Sequence, residues 1–308
     1  MITDLFKNTH RSEMPLTSDY VFRTAFGRDR DDSRAALMEI LNIILDRKDD
    51  PIQSIEIKNP IDTAETPDGK QTIMDIRAET SCSDLLDIEM QTGLLIVYPN
   101  RVIFYGGRLV NSSLQQGEDY DKMKKSIVVS IINGILFPSL SFCHNVFEVR
   151  DRETGLLLSD RLSFHFLELG KVDMKKPISE MTRIEKLAIY LKYANDEKMK
   201  DYVQEILAGE DFAMAEKAYR SLTQDEIEFQ RMESKIRSEL HWNTELAYAR
   251  KEGFGEGEDQ LNRLYAQLID QNRMDDMKHA MSDPEYRHAL YREFGMNVKD
   301  GSSLSENK

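Results

Sequence analysis

Two acidic residues occupy positions from which they could act together on a metal ion or a phosphate group. Residues 71–79 and 85–91 alternate apolar and polar side chains, which predicts two half-buried strands. The short polar segment around Cys82 predicts the turn between them, with Asp75 seven residues before Cys82 and Glu89 seven residues after it. A hairpin centred on Cys82 therefore sets the two carboxylates opposite each other, with Cβ atoms about 4.5–5.5 Å apart.

The same register predicts which residues surround the two acids. Arg77 falls opposite Asp87, where the two could form an ion pair, and Ile73 falls opposite Gln91. Because side chains alternate between the two faces of a strand, Gln91 shares the face of Glu89. The predicted cluster therefore contains two carboxylates and an amide.

Two interpretations of the opposed acids are open from the spacing alone. Like charges placed opposite each other destabilise a sheet unless something neutralises them. A divalent cation with oxygen ligands would neutralise Asp75 and Glu89, and the hairpin would then be a metal site. The alternative is a solvated sheet face on which Arg77 screens both acids.

The elements around this hairpin predict an α/β fold with a central mixed sheet flanked by helices. Residues 126–136 are almost entirely apolar, which indicates a strand that is buried on both faces. The other expected elements are helices at 34–45 and 99–114, strands at 52–58, 145–150 and 162–169, and a loop at 59–70.

The second half of the chain has a helical pattern throughout. A lysine-rich join at residues 170–177 predicts a domain boundary, with one domain at 1–175, a helical accessory region at 176–299 and a disordered tail at 300–308. Helices are expected at 182–193, 199–207, 211–222, 225–251, 258–270 and 284–294. This helical region is a candidate surface for docking on the first domain or for self-association into a homo-oligomer.

Composition excludes several classes of protein. The 308 residues carry a net charge of −14, which argues against a protein that coats nucleic acid by bulk attraction. No stretch approaches the roughly 18 apolar residues that a membrane helix needs. The N-terminus does not resemble a secretory signal, and the two cysteines have no zinc-site spacing, so a cytoplasmic location is expected.

The hairpin at residues 74–91 resembles the metal-binding hairpin of the PD-(D/E)XK nucleases, which have a restriction-endonuclease-like core. The chain is similar in particular to the Rpn-type branch of recombination-promoting nucleases and transposases. The motifs that carry the likeness are, in order, TSDYVFRTAFG at 17–27, LMEILN at 37–42, DIEMQ at 87–91, RVIFY at 101–105, QGEDY at 116–120 and the helical stretch at 245–258. Each motif is short, and their order along most of the chain is the specific part.

The resemblance implies a role for each residue of the cluster. Asp75 matches the metal-binding aspartate, Glu89 matches the acidic residue of the final motif, and Met90 would offer its backbone carbonyl to the metal. Gln91 stands where the superfamily name has a lysine. A glutamine looks typical of this branch, and it can orient a water molecule, although it carries no positive charge.

Three further residues are candidates for the site. Lys58 or Arg101 would supply the positive charge that Gln91 lacks. Glu39 lies on the first predicted helix, where many of these nucleases place an additional acid, and an exposed helical glutamate beside the core is the alternative for it.

The resemblance implies a Mg²⁺-dependent, or Mn²⁺-dependent, endonuclease that hydrolyses phosphodiester bonds in DNA and is associated with recombination or mobile elements. One alternative is a catalytically weak or inactive DNA-binding or interaction module of a mobile element, which the acidic charge and the missing lysine favour. A helical assembly protein is a third possibility, but it leaves the opposition of Asp75 and Glu89 unexplained.

Overall fold

A computed structural model describes residues 15–58, 61–62, 72–92, 98–114, 117–209, 212–223, 226–227, 231 and 257–296. The chain divides into two units. The larger comprises residues 1–92 and 96–237, and the smaller comprises 93–95 and 238–308. In the described part of the chain, no helix combines the length and the apolar composition that are needed to cross a membrane.

A six-stranded mixed sheet forms the centre of the larger unit. Its order is β1-β4-β5-β6-β8-β7, with β5, β6 and β8 mutually parallel and the other neighbours antiparallel. A separate two-stranded antiparallel sheet joins β2 to β3. The strands are β1 Ile55–Lys58, β2 Ile61–Asp62, β3 Thr72–Ile73, β4 Ile76–Thr80, β5 Leu85–Gln91, β6 Ser126–Ile132, β7 His144–Glu148 and β8 Leu162–Glu168.

Helices cover both faces of this sheet. On one face, the helices α1 Asp19–Phe26 and α2 Asp31–Ile44 bury their apolar sides in the same core as alternate residues of β4, β5 and β6. On the other face lies α3 Tyr98–Ser112. Gly106 allows α3 to approach β8 closely, because a Cβ atom at that position would lie 2.6 Å from the Phe164 ring.

Three more helices, α4 Arg183–Tyr193, α5 Lys200–Leu207 and α6 Ala213–Arg220, contribute to the core that contains α2. The helix α4 begins at a capping box, in which Thr182 and Glu185 satisfy each other's backbone N–H groups. Although the expected domain boundary at residues 170–177 stays a prediction, these helices bury their apolar sides in the core of the larger unit.

The smaller unit has an apolar core of its own. The helices are α7 Gly257–Asp270, α8 Met274–Ser282 and α9 Pro284–Glu293. Leu264, Leu268, Met277 and Leu290 are buried where these helices meet. The pattern at 258–270 and 284–294 predicted α7 and α9, whereas α8 was not expected.

The predicted restriction-endonuclease-like α/β class is confirmed, with corrections at element boundaries. The strand expected at 71–79 is two strands, because β3 leaves the main sheet to pair with β2. For the same reason Ile61–Asp62 is a strand inside the expected loop. The strand expected at 126–136 ends at Ile132. Most of the helix expected at 225–251 and the tail at 300–308 lie outside the described residues.

Glu39, a candidate for an additional acid at the site, is instead engaged at the start of α6. Its carboxylate accepts hydrogen bonds from the backbone N–H groups of Ala215 at 2.9 Å and Met214 at 3.4 Å. The first turn of a helix leaves such N–H groups without partners inside the helix, and an anion there is favourable. Glu39 therefore ties α2 to α6.

We predict that Glu39→Ala lowers the free energy of unfolding by about 1 kcal/mol, the usual contribution of a side chain that caps a helix N-terminus. Urea unfolding of the full chain measures the change. Glu39→Gln is the matched control, because its amide oxygen still accepts a hydrogen bond, and it should lose less stability. Equal unfolding curves for all three proteins would contradict the capping role.

Candidate active site

Asp75 and Glu89 meet at the end of the β4–β5 hairpin. The strands pair with Ile76 opposite Ile88 and Arg77 opposite Asp87, which is the register centred on Cys82 that the sequence predicts. Asp75 directly precedes β4. Its backbone N–H donates to Glu89 Oε1 at 3.2 Å, and the backbone N–H of Met90 donates to Asp75 Oδ2 at 3.2 Å.

These reciprocal hydrogen bonds lie where the hairpin opens. Asp75 lies between β3 and β4, so the expected pairing of Ile73 with Gln91 is wrong, and Ile73 instead pairs with Ile61 of β2. The fully buried Met74 anchors the chain at this point. Because the ladder stops at Ile76, backbone N–H groups that would otherwise bond across the strands are available to the carboxylates.

The helix α3 contributes a guanidinium group that contacts the second carboxylate oxygen of Glu89. Arg101 donates to Glu89 Oε2 at 3.0 Å, and its guanidinium carbon lies 4.8 Å from the centre of the Tyr98 ring. Gln91 donates its amide to the same Glu89 oxygen at 3.1 Å. Only 4% of the Glu89 side chain is exposed, so these hydrogen bonds fix the carboxylate in place.

Two residues of α1 face the site, and the sequence reasoning did not single them out. A guanidinium nitrogen of Arg23 lies 4.0 Å from Asp75 Oδ1. The negative charge of Asp19 acts on both Asp75 and Glu89. Asp19 and Arg23 are four residues apart and so share one helix face. That spacing, inside the motif at 17–27, was the available signal.

The electrostatics of the site favour protonated acids when no cation is present. Burial raises the pKa of Asp75 well above its ordinary value, and the negative charges of Glu89 and Asp19 raise it further, against the positive charges of Arg23 and Arg101. Burial also raises the pKa of Glu89, although Arg101 and the backbone N–H of Asp75 oppose this shift. Full ionisation of these acids would therefore need more positive charge than Arg23 and Arg101 supply.

Asp87 adds a third carboxylate to this face of the sheet. It is fully buried, and neither of its oxygens has a hydrogen-bond partner among the described residues. Burial raises its pKa well above the ordinary value, and Glu89 and Asp75 add to the rise. The expected ion pair with Arg77 does not form, because that guanidinium donates to the Ser112 hydroxyl at 3.0 Å instead.

Lys58, the alternative source of positive charge, is engaged elsewhere. Its ammonium lies 2.7 Å from a carboxylate oxygen of Glu56 and 3.4 Å from one of Glu79. Of Glu39, Lys58 and Arg101, only Arg101 contacts a carboxylate of the hairpin pair.

The donor set fits a hard divalent cation. Asp75 and Glu89 offer carboxylate oxygens, and 17% of the Asp75 side chain remains exposed, which leaves an approach from solvent. In the described residues, no three His, Cys, Asp or Glu side chains form a ready metal cluster. One or two carboxylates with several waters is nevertheless the usual protein environment of Mg²⁺.

A mixed sheet with helices on both faces, and with paired carboxylates at its central hairpin, is consistent with the restriction-endonuclease-like fold. The chain belongs to the family described as PD-(D/E)XK nuclease family transposase, which matches residues 16–249. Searches of curated proteins and of solved structures gave no match. Membership supports a nuclease or transposase-related activity and a divalent metal ion as the family's usual requirement.

We predict that Asp75→Asn raises the free energy of unfolding in a buffer that contains a chelator, and that the gain grows as pH rises. The folded protein keeps a proton on Asp75 at pH values above the ordinary pKa of 3.8, where the unfolded chain has released it. Stability from this group is therefore present at low pH and is lost as pH rises through the folded pKa. The uncharged amide of Asp75→Asn removes this loss of stability at higher pH.

The measurement is urea unfolding of both proteins at several values between about pH 5 and about pH 8. Asp49→Asn is the control, because Asp49 is exposed on the surface. Its curve should follow the wild type. A constant or shrinking difference between Asp75→Asn and wild type across this range would contradict the electrostatic account.

Proposed function

We propose that this protein is an endonuclease that hydrolyses phosphodiester bonds in DNA and requires Mg²⁺ or Mn²⁺. The observation that carries the proposal is the juxtaposition of the Asp75 and Glu89 carboxylates, in a place where burial disfavours two negative charges. A divalent cation is the counter-charge that such a pair lacks. Family membership supplies nuclease chemistry as the context for this pair.

In this proposal Asp75 and Glu89 hold the metal ion, with the backbone carbonyl of Met90 as a further ligand. When bound, such an ion polarises the phosphate, lowers the pKa of a water molecule and stabilises the leaving oxygen. Gln91 orients the attacking water through its amide. The hydrogen bond from Gln91 to Glu89 holds that amide beside the metal-binding carboxylate.

Arg101 supplies the positive charge that a lysine provides in the superfamily motif. A guanidinium group is a permanent positive charge in proteins. Contact with the Tyr98 ring and with Glu89 holds it against the site. A fixed positive group next to the reacting phosphate stabilises charge that develops in the transition state. Lys58 has no role in this proposal, because its ammonium is paired with Glu56 and Glu79.

A second candidate function is a catalytically weak DNA-binding or interaction module of a mobile element. The observation that favours it is that the Glu89 carboxylate already accepts three hydrogen bonds. Oε2 already accepts from Gln91 and Arg101, and Oε1 accepts from the backbone of Asp75. A metal ion must share these oxygens with existing donors. A role in recombination or transposition would follow from either candidate and rests on the family description.

We predict that Asp75→Ala abolishes nicking of supercoiled plasmid in Mg²⁺ or Mn²⁺ while the protein remains folded. The substitution removes a metal-binding carboxylate whose burial destabilises the metal-free protein, so the melting temperature in chelator should not fall. Gel electrophoresis of the plasmid and thermal unfolding are the two measurements. Undiminished nicking by a folded Asp75→Ala protein would refute the metal-ligand role, and no nicking by wild type would favour the second candidate.

We predict that Arg101→Ala slows cleavage by roughly 10²–10³-fold, the usual effect of removing one group that stabilises transition-state charge. Lys58→Ala is the matched control and should retain wild-type cleavage, because it removes a positive charge that is bound to surface acids. Single-turnover rates on plasmid DNA, with circular dichroism to verify folding, measure both. Equal rates for the two variants would argue against Arg101 as the catalytic cation.

Gln91→Lys provides the complementary test of the same assignment. If Arg101 supplies the charge, Gln91→Lys should restore part of the activity of Arg101→Ala, yet should not raise the activity of the wild type. A rate increase in the wild-type background would mean that the natural site lacks transition-state charge, which would contradict the role given to Arg101.

A further inference from the structure

The strand β7 forms one edge of the sheet and lacks several of the features that usually protect an edge, since its one acidic residue, Glu148, is paired with Arg150. Its sequence, His144-Asn145-Val146-Phe147-Glu148, contains no lysine and no proline. Within the described residues it pairs with β8 alone. Natural sheets protect such an edge with charged side chains, proline or a covering segment, because unpaired backbone groups there accept another strand.

The hydrogen-bonding pattern shows which backbone groups of β7 are open. The backbone N–H of Glu168 donates to the carbonyl of Cys143 at 2.7 Å, so that pair is of the hydrogen-bonded kind. In an antiparallel ladder every second residue bonds to the neighbouring strand. The backbone N–H and C=O groups of Asn145 and Phe147 therefore point towards β8. Those of His144, Val146 and Glu148 point outward from the sheet.

Large apolar side chains are exposed around this edge. Phe142 is 74% exposed, and the loop between β7 and β8 carries Leu156 at 72% and Leu158 at 78%. Val146, at 46%, is exposed in the strand itself. Large apolar side chains exposed beside an open strand edge favour an interaction site there.

We propose that β7 pairs with β7 of a second copy of this chain, antiparallel and centred on Val146. A two-fold axis at Val146 sets Val146 opposite itself and His144 opposite Glu148. All three outward-facing residues of each strand then exchange backbone hydrogen bonds with the other copy. Glu148 is paired with Arg150 of its own chain and His144 contacts His165, so this register places no unpaired like charges opposite each other.

Other two-fold registers are less favourable. Centring the axis on Glu148 sets two glutamates opposite each other, and like charges at opposed positions destabilise a sheet. Centring it on His144 sets Phe142 opposite Val146 and leaves Glu148 without a strand residue opposite it. The Val146 register alone uses the whole strand, and it also sets the exposed Phe142 opposite Arg150 of the other copy.

The first experiment measures the mass of the full-length protein by light scattering over a range of concentrations. Wild type should be a dimer, and Val146→Lys should be a monomer, since it sets two like charges against each other on the two-fold axis. Met214→Lys is the matched control, because Met214 on α6 is 47% exposed and lies on another element. It should remain dimeric. A monomeric wild type, or a dimeric Val146→Lys, would overturn the proposal.

The second experiment tests the register and does not depend on a disruptive change. In a Cys82→Ser background, Val146→Cys should form a disulfide-linked dimer with oxidised glutathione, because residues in a hydrogen-bonded pair have Cα atoms about 5.5 Å apart. Glu148→Cys should not, because Glu148 lies opposite His144. Cross-linking of Glu148→Cys as readily as Val146→Cys would refute the Val146-centred pairing.

Discussion

Two carboxylates of like charge, Glu89 buried and Asp75 partly exposed, lie beside each other where β4 separates from β5, and much of the surrounding structure compensates for that contact. Each acid accepts a backbone N–H from the strand of the other, which is possible only because the ladder stops at Ile76. The helix α1 brings Arg23 towards Asp75, and α3 brings Arg101 to Glu89. Helices on both faces of the sheet therefore contribute positive charges to the same pair of acids.

The positive charges and backbone N–H groups around the two acids do not fully compensate for the carboxylates placed there. Asp87 lies on the same strand, fully buried and without a hydrogen-bond partner in the described residues, and it adds a third acid. Buried charges are strongly destabilising unless they are paired or bound to a metal. A fold optimised for stability alone would place neutral or apolar residues here, which supports the proposal that the site binds a cation. In that proposal the net charge of −14 is compatible with a DNA substrate, because a bound cation would reduce the local negative charge.

The two edges of the sheet differ in a way that would keep the proposed active site apart from the proposed dimer interface. The edge strand β1 carries Glu56 and Lys58, which pair with each other and suit a solvated edge. The edge strand β7 carries Val146 and Phe147, with outward backbone groups and exposed leucines nearby. The central hairpin with its acids lies between these edges. Changes at β7 can therefore alter self-association while the acids of β4 and β5 keep their neighbours.

Local pattern was sufficient for the hairpin, its register and most helices, because alternation, turns and caps depend on residues that are close in the chain. The opposition of Arg77 and Asp87 followed from counting residues about Cys82, and the bounds of β5 followed from its alternating pattern. Distant packing decided the rest. Contacts between distant parts of the chain place Arg101 rather than Lys58 at the site, and they add Asp19 and Arg23. They also bind Glu39 to the start of α6 and take Thr72–Ile73 out of the main sheet. Spacing alone does not determine these outcomes, because each depends on which helix covers which face and how close it lies.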